Sequence, residues 1–229
     1  MLKAILENNN RSILALAPMA GASDKAMRIL AQEYGADMLF SEMISAKALT
    51  FSNEKTEKLL DTQGEKGLVA IQLFGHEEEI VSEAGRRAVA LGAQWLDFNM
   101  GCPVPKVVNN HEGSALLKSP EKAINLMRTL VQAVDVPVSV KCRIGWDSYD
   151  KGFMQNFAQG LAETGISLLS VHGRTRQEYY TGKANWQAIS DIVEAISLPV
   201  LANGDVDTPQ KAKEILDTTG ACGIMIGRG

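Results

Sequence analysis

Cysteine is scarce in this chain of 229 residues: there are three, Cys102, Cys142 and Cys222, with no CxxC among them. An odd number at such wide spacing argues against a disulfide framework and fits a reducing compartment. Histidine is as rare, and His76, His111 and His172 lie too far apart for a zinc pattern, so no metal is expected. Basic charge is not in excess. The formal net charge of -4 gives no bulk attraction to nucleic acid, so an RNA contact would need a local basic patch. No apolar run is long enough to span a membrane. Ser12 to Ala20 is apolar but short, holds Pro18, and follows Glu7 and three asparagines where a signal peptide would carry basic residues. Linkers, charge blocks and low-complexity stretches are missing, and so is the Rossmann glycine fingerprint of a separately bound dinucleotide. With 45% hydrophobic residues, the chain reads as one compact, soluble, cytoplasmic domain.

What is present is a recurring short apolar run. Ile13–Ala17, Met38–Phe40, Leu68–Phe74, Trp95–Met100, Pro137–Cys142, Leu168–Val171, Pro199–Ala202 and Gly223–Ile226 make eight candidate strands. Roughly 20 to 40 residues with helical patterning separate successive runs, the spacing of a parallel α/β barrel of the TIM (β/α)8 type. Helix signals fall between them. Ser119-Pro120-Glu121 offers a capping oxygen, a proline suited to the first turn and an acid at the positive helix end. Thr208-Pro209 repeats that start, and Gly220 is placed to end the helix with positive φ. Gly92 and Gly165 read as the same stop after helices over Ile80–Leu91 and Phe153–Leu161.

The stretch Asp97-Phe98-Asn99-Met100-Gly101-Cys102-Pro103 organises the rest. Asp97 and Asn99 alternate with Leu96, Phe98 and Met100, so the two polar side chains share one strand face. Gly101 and Pro103 end the strand around a thiol. Taken singly, Cys102 would read as packing. Polar residues recur, however, at the ends of the other strands, where a parallel barrel collects its reactive groups. These are Ser41-Glu42-Met43, Gln72, Lys141 and Arg143, His172-Gly173-Arg174-Thr175, Asn203-Gly204-Asp205 and Gly227-Arg228-Gly229. Lys141 and Arg143 lie two apart and share a face, with Cys142 turned the other way towards a helix. Each alone has a plain explanation, Lys141 or Arg143 as half of a buried ion pair with Asp97, for instance. Together, such groups pointing into one mouth are mutually costly unless a ligand satisfies them.

That ligand is partly legible. Gly204, Gly227 and Arg228, after strands seven and eight, match the usual barrel phosphate site. Gln72 suits a heterocyclic edge, and Lys141 offers positive charge to a reduced flavin ring.

Nine motifs, in order and each at a strand end or adjoining loop, carry a resemblance across nearly the whole chain. They are Ala17-Pro18-Met19-Ala20-Gly21, Ser41-Glu42-Met43, Gln72-Leu73-Phe74-Gly75, Asn99-Met100-Gly101-Cys102-Pro103, Gly113-Ser114-Ala115-Leu116-Leu117, Lys141-Cys142-Arg143, His172-Gly173-Arg174-Thr175, Ala202-Asn203-Gly204-Asp205 and Ile226-Gly227-Arg228. In these the chain resembles the tRNA-dihydrouridine synthases. The resemblance implies an FMN enzyme that reduces a tRNA uridine to 5,6-dihydrouridine, with NADPH as reductant. It implies FMN contacts from Pro18, Met19, Ala20, Gln72, Lys141, His172, Asn203, Gly204, Asp205, Gly227 and Arg228. It also implies that Asn99, Arg143 and Arg174 face the uracil and that Cys102 is the proton donor. An unperturbed thiol, with a pKa of ~8.5, is still protonated at neutral pH yet acidic enough to give its proton up.

Two departures stand out. The loop Val107-Val108-Asn109-Asn110-His111-Glu112 is less basic than the family pattern, and the helical domain that usually follows the barrel does not appear in the sequence. The eighth strand runs directly to Gly229, so an absent last helix would uncover ~400 Å² of apolar surface, on the order of 10 kcal/mol as an upper bound. A piece of a longer protein, or a partner that covers the gap, is therefore expected. The rival functions are another FMN barrel oxidoreductase acting on a small molecule, and a truncated flavin- or RNA-binding scaffold without turnover.

Overall fold

The computed structural model describes residues 12–51 and 54–228. Glu7, the asparagines after it and Gly229 lie outside the described residues. Eight parallel strands close on themselves in chain order: β1 (Ile13–Leu16), β2 (Met38–Phe40), β4 (Leu68–Phe74), β5 (Leu96–Met100), β6 (Val138–Arg143), β7 (Leu168–His172), β8 (Val200–Asn203) and β9 (Gly223–Ile226). Closure is made by β1 on β9, with Ile13 opposite Gly223 and Leu16 opposite Ile226. This is the TIM barrel expected from the spacing of the apolar runs. A ninth strand was not expected. β3 (Ile44–Ser45) extends the rim by pairing with the far end of β4, Ile44 opposite Leu73. Two residues carry no readable alternation, so only the neighbouring strand defines it.

Around the barrel lie α1 (Lys25–Glu33), α2 (Ala46–Thr50), α3 (Glu54–Glu57), α4 (Glu78–Ala90), α5 (Pro105–Val108), α6 (Pro120–Ala133), α7 (Lys151–Ala162), α8 (Trp186–Ala195) and α9 (Pro209–Thr219). Asp24, Asp150, Asn185 and Thr208 cap their helices, each accepting from the backbone N–H three residues on. Ser119 does not, contrary to the sequence expectation. Its hydroxyl makes no capping bond: the backbone sits at φ -139 and ψ 68, whereas Thr208, also before a proline, caps α9 from the extended φ -140 and ψ 156. Pro120 and Glu121 alone start α6. Gly220 ends α9 with φ 65 in the left-handed region, as its position suggested. No helix among the described residues is long and apolar enough to cross a membrane, and none of their His, Cys, Asp and Glu side chains group as a metal site would.

Strand alternation divides the core in two. Leu96, Phe98, Met100 and Cys142 face outward into the layer shared with Leu126, Leu130 and Met154 of the helices. Ile13, Met38, Phe40, Trp95, Leu168 and Leu201 fill the barrel interior, and Met225 packs with them while also lining the mouth. The barrel is thus plugged with side chains below, and the inward polar residues are stacked at the opposite end. Leu14 and Ile226, on the outer face of β1 and β9, are only half-buried, and Met27, Ile29 and Leu30 of α1 are exposed.

Candidate active site at the barrel mouth

The exits of the strands enclose a cavity of about 370 Å³, within the range of small-ligand sites. Ser41, Glu42, Asp97 and Thr175 do not line it, whereas all the residues that the resemblance assigns to FMN, uracil or proton donation do: Pro18, Met19, Ala20, Gln72, Asn99, Cys102, Lys141, Arg143, His172, Arg174, Asn203, Gly204, Asp205, Gly227 and Arg228. What holds them is a network that begins in the core. Trp95 Nε1 donates to Ser139 Oγ at 2.9 Å, and Ser139 Oγ donates to Asp97 Oδ1 at 2.6 Å. Gln72 Nε2 donates to Asp97 Oδ2 at 2.6 Å, and Asn99 Nδ2 donates to Gln72 Oε1 at 2.9 Å. Asn99 Oδ1 then accepts from the N–H groups of Gly101 and Cys102, at 3.1 and 2.9 Å. Five inward side chains thus fix the turn that carries the thiol. From below, the backbone oxygen of Cys102 is held by both the N–H and the Oγ of Ser114.

Burial raises the Cys102 thiol above its ordinary range, only partly offset by the Val104 N–H and the charges of Arg143 and Lys141. A proton is therefore retained on sulfur at neutral pH. Lys141 donates to Asn203 Oδ1 at 3.1 Å, and Asn203 Nδ2 reaches the carbonyl of Met225. Burial, and Arg143 beside it, lower the Lys141 ammonium to about 8, against the pull of Asp97. His172 is driven down to about 2 by burial and then by Lys141, Arg143, Arg174 and Arg228, so the ring is neutral. No buried ion pair joins Asp97 to Lys141 or Arg143. Arg143 instead donates to three backbone carbonyls, those of Gly101, Thr175 and Tyr179.

Arg174 and Asp205 are bound to one another: Arg174 Nη2 donates to both carboxylate oxygens, at 2.7 and 2.9 Å, and Asp205 also accepts from the Ala184 N–H. The same guanidinium holds the carbonyls of Thr181 and Gly182, so the pair fastens the loop after β7 across the mouth. At the β8 and β9 exits the backbone is bare. Gly204 sits at φ 123, where an added Cβ would come within 2.8 Å of Ala184 Cβ, and one on Gly227 would press on Ala17 Cβ at 3.3 Å. The bare backbone thus lets the β8 and β9 exits pack closely on Ala184 and Ala17, and Gly204, Gly227 and Arg228 together line the mouth with two backbone turns and one guanidinium.

The family model described as dihydrouridine synthase (Dus) matches residues 15–229, and so takes in the whole mouth. The chain belongs to the dihydrouridine synthase family. Members of the family are flavin-dependent oxidoreductases that modify tRNA. Among curated relatives, the tRNA-dihydrouridine synthase B of Vibrio parahaemolyticus is 43% identical over 223 residues, covering 97% of this chain and 68% of its own. That of Pseudomonas syringae pathovar tomato is 41% identical, covering 94% and 64%, and that of Xanthomonas axonopodis pathovar citri is 43% identical, covering 93% and 64%. The chain thus spans about two thirds of the length of these relatives.

Against the nine quoted motifs, the structure adds family-fold residues that sequence reasoning did not single out. Tyr180 lines the mouth, with the Arg228 guanidinium 3.7 Å above its ring centre and that of Arg143 at 5.2 Å. The signal that could have found it is the tyrosine pair Tyr179-Tyr180 in a polar loop. Ser139 is the other, hidden because its role depends on neighbours across the barrel; Asp97, already placed on the Asn99 face by the sequence, takes its hydrogen-bonding role from the same neighbours. Asp97 makes a measurable difference. Burial pushes its carboxyl up to about 6, against hydrogen bonds from Gln72 and Ser139 that lower it. The folded protein therefore binds more protons than the unfolded chain between about pH 4 and 6. The stabilising contribution is complete below the unfolded value and is lost as pH rises through the folded one. Melting temperatures of the native chain and Asp97→Asn across pH 4 to 6.5 should show the difference moving in favour of the variant as pH rises, on the order of 2–3 kcal/mol in all. Parallel curves would mean that Asp97 does not titrate there.

Proposed function

We propose that this barrel is the FMN-binding catalytic domain of a tRNA-dihydrouridine synthase, reducing the C5–C6 bond of a tRNA uridine with NADPH as the ultimate reductant. The observation that carries it is a thiol on a turn fixed by Asn99 and Ser114, lining the same cavity as Lys141, Gly204, Gly227 and Arg228. The donor set fits FMN: Gly204, Gly227 and Arg228 would take its phosphate, while Lys141, Gln72 and His172, with Pro18, Met19 and Ala20 on the β1 exit, would hold its ring. FMN held there would supply the hydride that reduces the uracil at C6. Cys102 Sγ then gives its proton to C5, and the thiolate left behind is steadied by the charges of Arg143 and Lys141 until solvent reprotonates it. Asn99 and Arg143 set the position of Cys102 as well as bordering the uracil, and the Arg174–Asp205 pair holds the loop that closes over it. The target base must leave its stack to enter. The free cysteines suit a cytoplasmic setting.

The test is the visible spectrum of the purified chain, with identification of released chromophore, before and after anaerobic NADPH. Bound FMN that bleaches, followed by dihydrouridine in an unmodified tRNA transcript, is expected. Turnover of a free pyrimidine or enone in preference to tRNA would move the reading to a small-molecule oxidoreductase. A protein that takes up no FMN would overturn it.

A further inference from the structure

Beside the mouth lies a second cleft of about 600 Å³, lined by Val108, Leu116, Lys118, Lys122, Trp146 and Arg176 among others, with no acidic side chain in its walls. Lys118 Nζ lies 5.1 Å from the centre of the Trp146 ring and the Arg176 guanidinium 4.7 Å from it, so one indole holds two cations. Lys122 adds a third. None of the three forms an ion pair among the described residues, and the buried Arg176 Nε has no hydrogen-bond partner. Lys118 and Lys122 are exposed to solvent, whereas the buried Arg176 donor is costly unless an acceptor such as an anion completes it. The N-terminus of α6, left uncapped by Ser119, opens on the same space and adds its positive pole.

The cleft is built from three of the loops that also line the mouth. The β5 loop brings Cys102 to the mouth and Lys118 to the cleft. The β6 exit gives Arg143 to one and Trp146 to the other, and the β7 exit Arg174 and Arg176. An RNA strand with its base at Cys102 has flanking phosphates for cations on these shared loops to bind. We propose that it is a phosphate clamp for the RNA backbone next to the uridine in the mouth, with Trp146 as the positioning residue that holds Lys118 and Arg176 together. This rests on the function proposed above. It also supplies, from outside the weakly basic loop 107–112, the local basic patch that a chain of net charge -4 needs.

Phosphate could equally come from NADPH, and the experiment separates the two. Binding of an unmodified tRNA transcript to the full chain is measured against salt, for the native chain and for Lys118→Ala with Arg176→Ala. A charge-matched control, Lys66→Ala with Arg128→Ala, lies away from the mouth. Loss of two phosphate contacts should weaken binding at physiological salt roughly tenfold and make the log–log salt slope shallower by about 1.5. The rate of flavin bleaching by NADPH should not change. Trp146→Ala should give part of the same loss and Trp146→Phe should restore it. An unchanged slope, or an equal change in the control, overturns the clamp. Slower bleaching with the RNA slope intact would assign the phosphate to NADPH instead. Because RNA binding needs no turnover, a native chain without FMN or dihydrouridine formation would count against the proposed function, while the slope still judged the cleft.

Discussion

Cys102→Ala should slow dihydrouridine formation by roughly 10²–10⁴-fold, the range of a lost general acid, while NADPH still bleaches the flavin at close to the native rate. The contrast follows from geometry. The turn is held through its backbone: Asn99 Oδ1 takes the Gly101 and Cys102 N–H groups, and Ser114 takes the Cys102 carbonyl. None of these contacts uses the sulfur, so an alanine leaves the turn in place and removes only the proton. The measurement is single-turnover reduction of a tRNA transcript alongside anaerobic stopped-flow bleaching. Equal loss in both half-reactions would show a structural role, and a kinetically competent Cys102–uracil adduct would show a nucleophile instead of an acid.

Arg143→Lys is expected to lower stability by about 2–4 kcal/mol, a fall in melting temperature of roughly 5–15 °C for a chain of this size. It should also cut dihydrouridine formation more than tenfold at temperatures where the variant is folded. Arg143 is 2% exposed and has no carboxylate partner. Its charge is spread over the carbonyls of Gly101, Thr175 and Tyr179, at 2.8, 2.7 and 2.7 Å, and over the ring of Tyr180. A lysine keeps the charge but not the planar fork, so it cannot reach all three carbonyls at once, and buried acceptors lose their partners. Gly101 precedes the thiol, which couples the stability loss to the chemistry. Calorimetry with the same single-turnover assay checks both, and a melting temperature within a degree of native would refute the account.

Much of the fold was legible because the determinants are local. Inward and outward residues of β5 and β6 alternate in the chain itself, and Thr208-Pro209 and Gly220 bracket α9 by backbone chemistry alone. The sequence therefore determined the barrel, the strand ends and the set of residues that meet at the mouth, since a parallel barrel brings every strand exit to one place. Only the tertiary structure decided what each of them touches. The Asp97–Gln72–Asn99 network, the pairing of Arg174 with Asp205, Tyr180 between two guanidiniums, and the cations around Trp146 all join residues from different strand exits. Those contacts depend on strand register, on the path of the β7 loop and on burial. A side chain's partner and its protonation are properties of the space around it, and that space exists only once the barrel has closed.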